Sequence, residues 1–167
     1  MLNDIRRVGK EYQIFIQDKK SAVITDPWLS SGGQITIGDK IYSIIDQSKS
    51  FMRDKFILES KGVPHARIES QNVQNSKFNL ILPDDTEYKF IVGWAAKKPF
   101  EVYMGSGYFS RTKVGGIYNT LGVFQKKPDG KKDKQFVVID LPSIIPLPSQ
   151  LFAYWFVLKF WLDPSES

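Results

Sequence analysis

The last apolar segment of the chain constrains its fold more than any other feature. Residues 147–162 read LPSQLFAYWFVLKFWL, and a helix built from them is apolar all the way round. Such a helix has to be surrounded on every side, either by a protein core or by lipid. Over residues 148–162 it would be about 22 Å long, whereas a bilayer core is about 30 Å thick. Length therefore favours a buried core helix, with a tail anchor, an interfacial helix or a strand as alternatives.

The residues at both ends of this segment fit a helix over 148–162. Pro148 suits the first turn, where no backbone N–H is needed. Asp163 precedes Pro164, and the residue before a proline is disfavoured in helices, so the helix should stop there. Lys159 lies near the negative end of the helix dipole and has a long side chain that can reach water.

Everything before the helix reads as short β-strands. Apolar and polar residues alternate with a period of two, and turn residues recur about every eight to twelve positions, as in antiparallel sandwiches and barrels. The sequence predicts strands at residues 12–16, 21–25, 34–37, 40–45, 55–59, 66–69, 77–82, 87–92, 101–104, 108–111, 116–124 and 135–139.

Strands and helix together suggest one architecture. A closed barrel of about twelve strands encloses more space than its own side chains fill. The apolar C-terminal helix can occupy that space. We therefore predict a mainly β fold, a closed antiparallel β-barrel of about 12 strands around a hydrophobic C-terminal helix, as one domain over residues 1–167.

Composition limits the classes of function. The chain has 167 residues, no Cys and a single His, with a formal charge of +5 and a pI near 9.3. Without Cys there is no disulfide framework and no thiolate metal site. The first residues lack the apolar stretch of a signal peptide. We expect a cytoplasmic protein without a transmembrane segment, with a peripheral position at the membrane as an alternative.

Three short motifs, in order along the chain, carry a family resemblance. Residues 55–68 (KFILESKGVPHARI) look like a strand, Gly turn, small residue, strand hairpin. Residues 113–117 (KVGGI) look like a late v-G-x-I strand, and residues 140–142 (DLP) lead into the final helix. With the predicted helix, this order resembles the tubby C-terminal-like superfamily, which includes tubby proteins, phospholipid scramblases and LURP-one-related proteins. The chain departs from it in lacking a Pro-rich tail, a cysteine cluster and a stretch matching tubby's lipid-binding residues.

The resemblance implies a function without catalysis. Tubby domains bind phosphatidylinositol bisphosphate head groups through surface Lys and Arg, and scramblase relatives act at membranes. The expectation is a non-enzymatic module that binds anionic phospholipid, such as a phosphoinositide, or a membrane-associated partner. Two alternatives remain: a protein-interaction or scaffold domain with no lipid role, and a weaker one, single-stranded nucleic-acid binding by a basic barrel.

Clustered basic residues are the candidate head-group ligands. Residues 126–134 (KKPDGKKDK) form a cationic turn, whose other interpretation is a solubilising hairpin tip. Two further basic pairs would form a phosphate pocket if their strands are neighbours, and are otherwise scattered surface charge. The candidates are Lys97, Lys98, Arg111, Lys113, Lys126, Lys127, Lys131 and Lys132. Arg6, Arg7 and Lys10 form either a basic N-terminal arm or a frayed end.

Catalytic and metal-binding patterns are missing from the sequence. His65 is the only histidine and follows Pro64 in a predicted turn, so neither a His-rich metal site nor a Cys–His dyad can be built. Asp84 and Asp85 lie between two alternating strands, which is typical of a hairpin turn. Gly-Gly pairs at 32–33 and 115–116 suggest turns or bulges. We predict no enzyme activity, no cofactor and no metal.

Overall fold

The structure is a computed structural model. The structure describes residues 2–27, 32–48, 53–71, 76–93, 99–105, 112–119 and 134–161. The strands are β1 (Leu2–Val8), β2 (Glu11–Ile16), β3 (Lys19–Thr25), β4 (Gly33–Ile37), β5 (Lys40–Asp46), β6 (Lys55–Ser60), β7 (Val63–Ser70), β8 (Lys77–Ile81), β9 (Glu87–Val92), β10 (Phe100–Met104), β11 (Thr112–Asn119) and β12 (Lys134–Asp140), followed by helix α1 (Leu147–Trp161).

The twelve strands form a closed antiparallel barrel. Each strand pairs with its neighbours along the chain, and β1 pairs with both β2 and β12 to close the sheet. The predicted mainly β barrel with one C-terminal helix is therefore confirmed. Closure also means that each described strand is hydrogen-bonded on both sides, so the sheet presents no free edge.

The alternation of the sequence sets the inner and outer faces of the barrel. In β2, Tyr12 and Ile14 are fully buried, while Gln13 and Phe15 point outward and are half-buried. The same pattern recurs in the other strands, because successive side chains of a strand point to opposite faces. A tight turn fixes how β2 and β3 pair. Its two residues, Gln17 and Asp18, both have positive φ, as a two-residue type I′ hairpin requires.

Helix α1 fills the barrel interior and touches opposite walls. Its aromatic side chains contact three strands: Trp155 packs on Phe56 of β6, Phe156 on Phe78 of β8, and Phe160 on Phe100 of β10, with ring centroids 4.6–5.2 Å apart. On another side, Leu147 and Leu151 line a small interior space with residues of β2, β3 and β12. All side chains from 151 to 158 are buried. The barrel thus shields from water a helix that has no polar face.

One glycine permits the close approach of α1 to the wall. A Cβ placed on Gly33 of β4 would lie 3.0 Å from the indole nitrogen of Trp155 and 2.6 Å from the hydroxyl oxygen of Thr25. The absence of a side chain therefore lets the largest aromatic of the helix reach the sheet. This close approach explains the glycine at position 33, one of the two glycines of the Gly-Gly pair at 32–33.

Several element boundaries differ from the predictions. The N-terminal residues form β1, a strand that the sequence prediction missed by starting at residue 12. Strand β11 begins four residues before the predicted strand 116–124, and residues 120–124 of that prediction lie outside the described residues. The predicted strand at 108–111 lies outside the described residues. Helix α1 begins at Leu147, one residue before the prediction.

The helix also bears on the membrane alternatives. Within the part of the chain that the structure describes, no helix is both long enough and apolar enough to cross a bilayer. Lys159, the basic residue of the last turn, is half-buried, with its ammonium 5.9 Å from the ring centroid of Phe56. Its place near the helix C-terminus fits the dipole argument.

Candidate functional site

The antiparallel order divides the connections between two ends of the barrel. At the entry end, where the chain turns into α1, lie the strand ends that flank the connections 17–18, 38–39, 61–62, 82–86, 105–111 and 141–146. At the opposite, distal end lie the strand ends that flank the connections 9–10, 26–32, 47–54, 71–76, 93–99 and 120–133. The described strand ends fix this assignment, because each strand reverses the direction of the one before it.

The two sets of connections differ in charge. By sequence, the distal connections contain nine basic and four acidic residues, namely Lys10, Lys49, Arg53, Lys97, Lys98, Lys126, Lys127, Lys131 and Lys132 against Asp26, Asp54, Asp129 and Asp133. The entry connections contain two basic and four acidic residues, namely Lys61 and Arg111 against Asp18, Asp39, Asp84 and Asp85. The positive charge of the connections is therefore carried by the distal end.

Most of the predicted head-group ligands fall outside the described residues. Lys97, Lys98, Arg111, Lys126, Lys127, Lys131 and Lys132 belong to that group, and Lys113 alone is described. The expected pocket required the segments around Lys98 and Lys113 to be adjacent. Their strands are neighbours, but the described flanks Pro99 and Thr112 stand at opposite ends of β10.

Lys113 already has an acidic partner. Its ammonium lies 3.2 Å from a carboxylate oxygen of Glu101 on β10, and its side chain is half exposed. The Tyr103 hydroxyl donates a hydrogen bond to the other oxygen of Glu101. These two donors, Tyr103 first, lower the pKa of Glu101, and the hydrogen bond to Glu101 raises the pKa of Lys113. Lys113 is thus charged but locally neutralised.

The N-terminal basic residues are part of the barrel wall, so the prediction of a free arm or a frayed end was wrong. The guanidinium of Arg6 lies 4.1 Å from the ring centroid of Phe15 on β2. Arg7 donates a 3.1 Å hydrogen bond to the buried carboxylate of Asp26. Pairing of β1 with β2, and of β2 with β3, brings these partners together, which a linear pattern could not show.

An apolar groove opens at the entry end. It has a volume of about 550 Å³ and lies between the β8–β9 turn, the end of β10, the start of β11 and the linker into α1. Ile144 in the linker is 77% exposed and Met104 is 45% exposed. Its apolar lining includes Leu82, Pro83, Met104, Val114, Ile144 and Pro146.

A bulge and a glycine shape this groove. The β10–β11 register shifts between Val102 and Tyr103, which leaves Val114 as the extra residue of a β-bulge and turns it into the groove. A Cβ on Gly115 would lie 1.9 Å from the carbonyl oxygen of Asp140, so only glycine lets β12 pass so close. The predicted Gly-Gly feature at 115–116 therefore sets the position of the linker that forms one wall.

One carboxylate lies on the groove wall, and three more are close to lining residues in sequence. Asp84 lines the groove, and exposed Asp85 and Glu87 follow it at the end of the turn and the start of β9. The backbone N–H and side chain of Thr86 hydrogen-bond to Asp84 and lower its pKa. Asp140, at the end of β12, is exposed and precedes the linker. The groove therefore combines apolar walls with a charged carboxylate.

The remaining candidates have structural roles. His65 lies in β7, not in the predicted turn, and is half-buried with its ring edge-on to Tyr42 at 5.2 Å between centroids. Asp84 and Asp85 form the expected hairpin turn, and Asp85 has a positive φ. Across the described ranges, no three His, Asp or Glu side chains come close enough to hold a metal ion.

Sequence reasoning missed the groove residues. Ile144 and Ile145 form an apolar pair between Pro142 and Pro146, and the pair splits in the structure: Ile145 is buried and Ile144 is exposed. An apolar residue in a proline-bounded linker was the available signal.

Comparison with family models, curated proteins and solved structures gives no match to this chain.

Proposed function

We propose that the chain is a non-enzymatic binding module whose distal end binds anionic phospholipid head groups, with phosphoinositides as the favoured class. The observation that carries this proposal is the charge difference between the two sets of connections. Six of the eight predicted ligands lie on the distal connections 93–99 and 120–133. These connections leave neighbouring strands at the same end of the barrel.

Anionic membranes attract basic segments. Each Lys or Arg close to an anionic surface contributes about 1 kcal/mol. The connections flanked by the distal strand ends contain nine basic and four acidic residues. A surplus at one end would orient the protein on a membrane, whereas the same charge spread evenly would not. The closed barrel supplies a rigid base, since each described strand is paired on both sides.

A vesicle-pelleting experiment with the full chain tests the proposal. Vesicles of phosphatidylcholine alone are compared with vesicles that also contain phosphatidylinositol 4,5-bisphosphate. A distal variant reverses four lysines to Glu, at Lys126, Lys127, Lys131 and Lys132. A matched entry variant reverses four exposed lysines at the other end, Lys19, Lys20, Lys40 and Lys61.

We expect the distal variant to lose at least about 100-fold in affinity for the anionic vesicles, since four attractive charges become repulsive. The entry variant should stay within about threefold of the parent, because exposed charges beyond a Debye length are screened. Equal pelleting with both vesicle types would refute lipid binding. Strongly salt-dependent binding to a single-stranded oligonucleotide, with no vesicle binding, would favour the nucleic-acid alternative instead.

A further inference from the structure

The groove at the entry end has the size and chemistry of a binding site separate from the distal end. Its volume of about 550 Å³ falls within the ~300–1,000 Å³ common for ligand sites. It continues past Leu82 and Pro83 into a second depression of about 300 Å³ beside Ile57 and Arg67. The combined surface is elongated and open, which suits an extended segment better than a compact small molecule.

The exposed apolar side chains make this surface unusual. Ile144 stands 77% exposed in the linker, next to Met104 at the end of β10. Large apolar groups at a concave surface are typical of interaction sites. A methionine at such a place adapts its shape to different partners, since its side chain is unbranched and flexible.

Charge identifies the occupant. Asp84 lies on the groove wall, and its charged form is favoured by hydrogen bonds from Thr86. Exposed Asp85 and Glu87 follow it in sequence, and exposed Asp140 precedes the linker that forms another wall. Two described cations of this region are engaged, Lys113 by Glu101 and Arg67, which lines the second depression, by Glu69. Negatively charged ligands such as fatty acids and phospholipids are disfavoured by this carboxylate. A segment with apolar and cationic side chains is complementary to both the apolar walls and Asp84.

The closed sheet defines how such a segment can bind. A peptide often adds a strand to an exposed sheet edge, but each described strand of this barrel already has two partners. Recognition must therefore come from side chains entering the groove, not from backbone pairing along the barrel.

From these observations we infer that the entry groove binds a peptide segment of a partner protein in which apolar residues are flanked by Lys or Arg. Apolar side chains of the segment contact Met104, Val114 and Ile144. Its basic side chains pair with Asp84 and Asp140. This site acts independently of the lysine-rich distal end and does not rest on lipid binding.

Selection from a phage-displayed library of random 12-residue peptides on the immobilised full chain tests the inference. We expect enriched peptides to combine apolar and basic residues. Their affinity should fall at least about tenfold in the Ile144→Ser/Met104→Ser variant, which removes two central apolar contacts. The control Ile41→Ser removes an exposed apolar residue of the same end outside the groove, and should change affinity by less than about twofold.

A further double variant separates the contribution of charge from that of the apolar contacts. Asp84→Asn/Asp140→Asn keeps the side-chain shapes and should weaken the basic peptides roughly three- to tenfold, as expected for two exposed ion pairs. All groove variants should bind anionic vesicles as the parent does, so failure of this inference and failure of the distal-end proposal are distinguishable. Near-UV circular dichroism confirms that each variant keeps the native fold.

Three outcomes would overturn the inference. The first is enrichment of no peptides, or of acidic ones. The second is enrichment of peptides whose binding the Ile144→Ser/Met104→Ser variant leaves unchanged. The third is binding that appears only in a Tyr108→Ser/Phe109→Ser variant, which would assign the groove to the chain's own connection between Met104 and Thr112.

Discussion

The two ends of the barrel share one scaffold but differ in their connections. By sequence, the distal connections carry a surplus of lysine and arginine, while the entry end has an apolar groove with Asp84 on its wall. The strands between them form one closed sheet, and the same helix fills its interior. The difference therefore lies in the connections, where sequence can change without disturbing the core. One fold can in this way present two surfaces for two kinds of partner.

The largest expected effect comes from breaking the core that both ends share. Phe156 is fully buried and packs on Phe56 and Phe78. Phe156→Asp should destabilise the protein by at least about 4 kcal/mol, because it removes aromatic packing and buries a charge. Urea unfolding and near-UV circular dichroism measure this, and both vesicle and peptide binding should be lost together.

The control for this core variant is Phe156→Leu, which stays apolar and should cost only about 1–2 kcal/mol. A Phe156→Asp protein with native near-UV signals would show that the helix does not fill the barrel.

The next effect should be confined to the entry end. Gly115→Ala places a methyl group against the carbonyl oxygen of Asp140. The backbone of β11 or β12 must shift, at a cost of about 2–3 kcal/mol, as for other overpacked sites. Thermal or urea unfolding gives the loss, and peptide binding should weaken while vesicle binding persists.

Gly62→Asn is the matched glycine control. Gly62 has a positive φ and open space around it, and Asn tolerates that backbone conformation, so the change should cost less than about 1 kcal/mol. Equal losses from Gly115→Ala and Gly62→Asn would contradict the close approach of β12.

A smaller effect is expected at the distal end. Arg7→Leu removes the guanidinium that pairs with the buried carboxylate of Asp26. We expect a loss of about 2 kcal/mol in the free energy of unfolding, less than for a fully buried pair because Arg7 is partly exposed. Lys10→Leu, at an exposed residue of the adjoining turn, should stay within about 0.5 kcal/mol. Similar results for the two variants would mean that the arginine is only surface charge.

The smallest effect is expected at the ion pair between Glu101 and Lys113, at the entry end. The pKa of Glu101 lies below its ordinary value of 4.5, chiefly because the Tyr103 hydroxyl donates to it and then because Lys113 does. Tyr103→Phe and Lys113→Met should therefore each raise the titration midpoint of Glu101. The NMR shift of the Glu101 carboxyl carbon follows this midpoint directly.

The sign of the pH dependence follows from the directions of these shifts. The contribution of Glu101 to stability is present above pH 4.5 and is lost as pH falls through its lowered pKa. The contribution of Lys113 is full below its ordinary pKa of 10.5 and is lost as pH rises through the raised value. The variant Lys113→Met should leave vesicle binding unchanged. A large loss of vesicle binding in this variant would identify Lys113 as a head-group ligand.

Local patterns were enough to predict most elements, but they failed where partners are distant in sequence. Residues 2–8 have no clear alternation, so β1 was mistaken for an arm. Pairing with β2 and β12 makes it a strand. The proposed link between the segments of Lys98 and Lys113 assumed that neighbouring strands bring them together. The direction of β10 instead puts their described flanks at opposite ends.

The groove is a candidate site that local sequence patterns also could not predict. Met104, Val114 and Ile144 belong to three separate segments, and each looks unremarkable alone. A bulge between β10 and β11 and the close passage of β12 at Gly115 bring them to one surface. No period or motif encodes that convergence, because it depends on register and not on composition.

The sequence by itself determined the strand-rich barrel class, the buried helix and its start to within one residue, and the excess of positive charge. These properties follow from local periodicity and from the need to shield an apolar segment from water. Tertiary structure decided which connections share an end, which basic residues are already paired, and where apolar side chains stay exposed. Those properties depend on strand order and closure, which join residues far apart in the chain through contacts that no local pattern specifies.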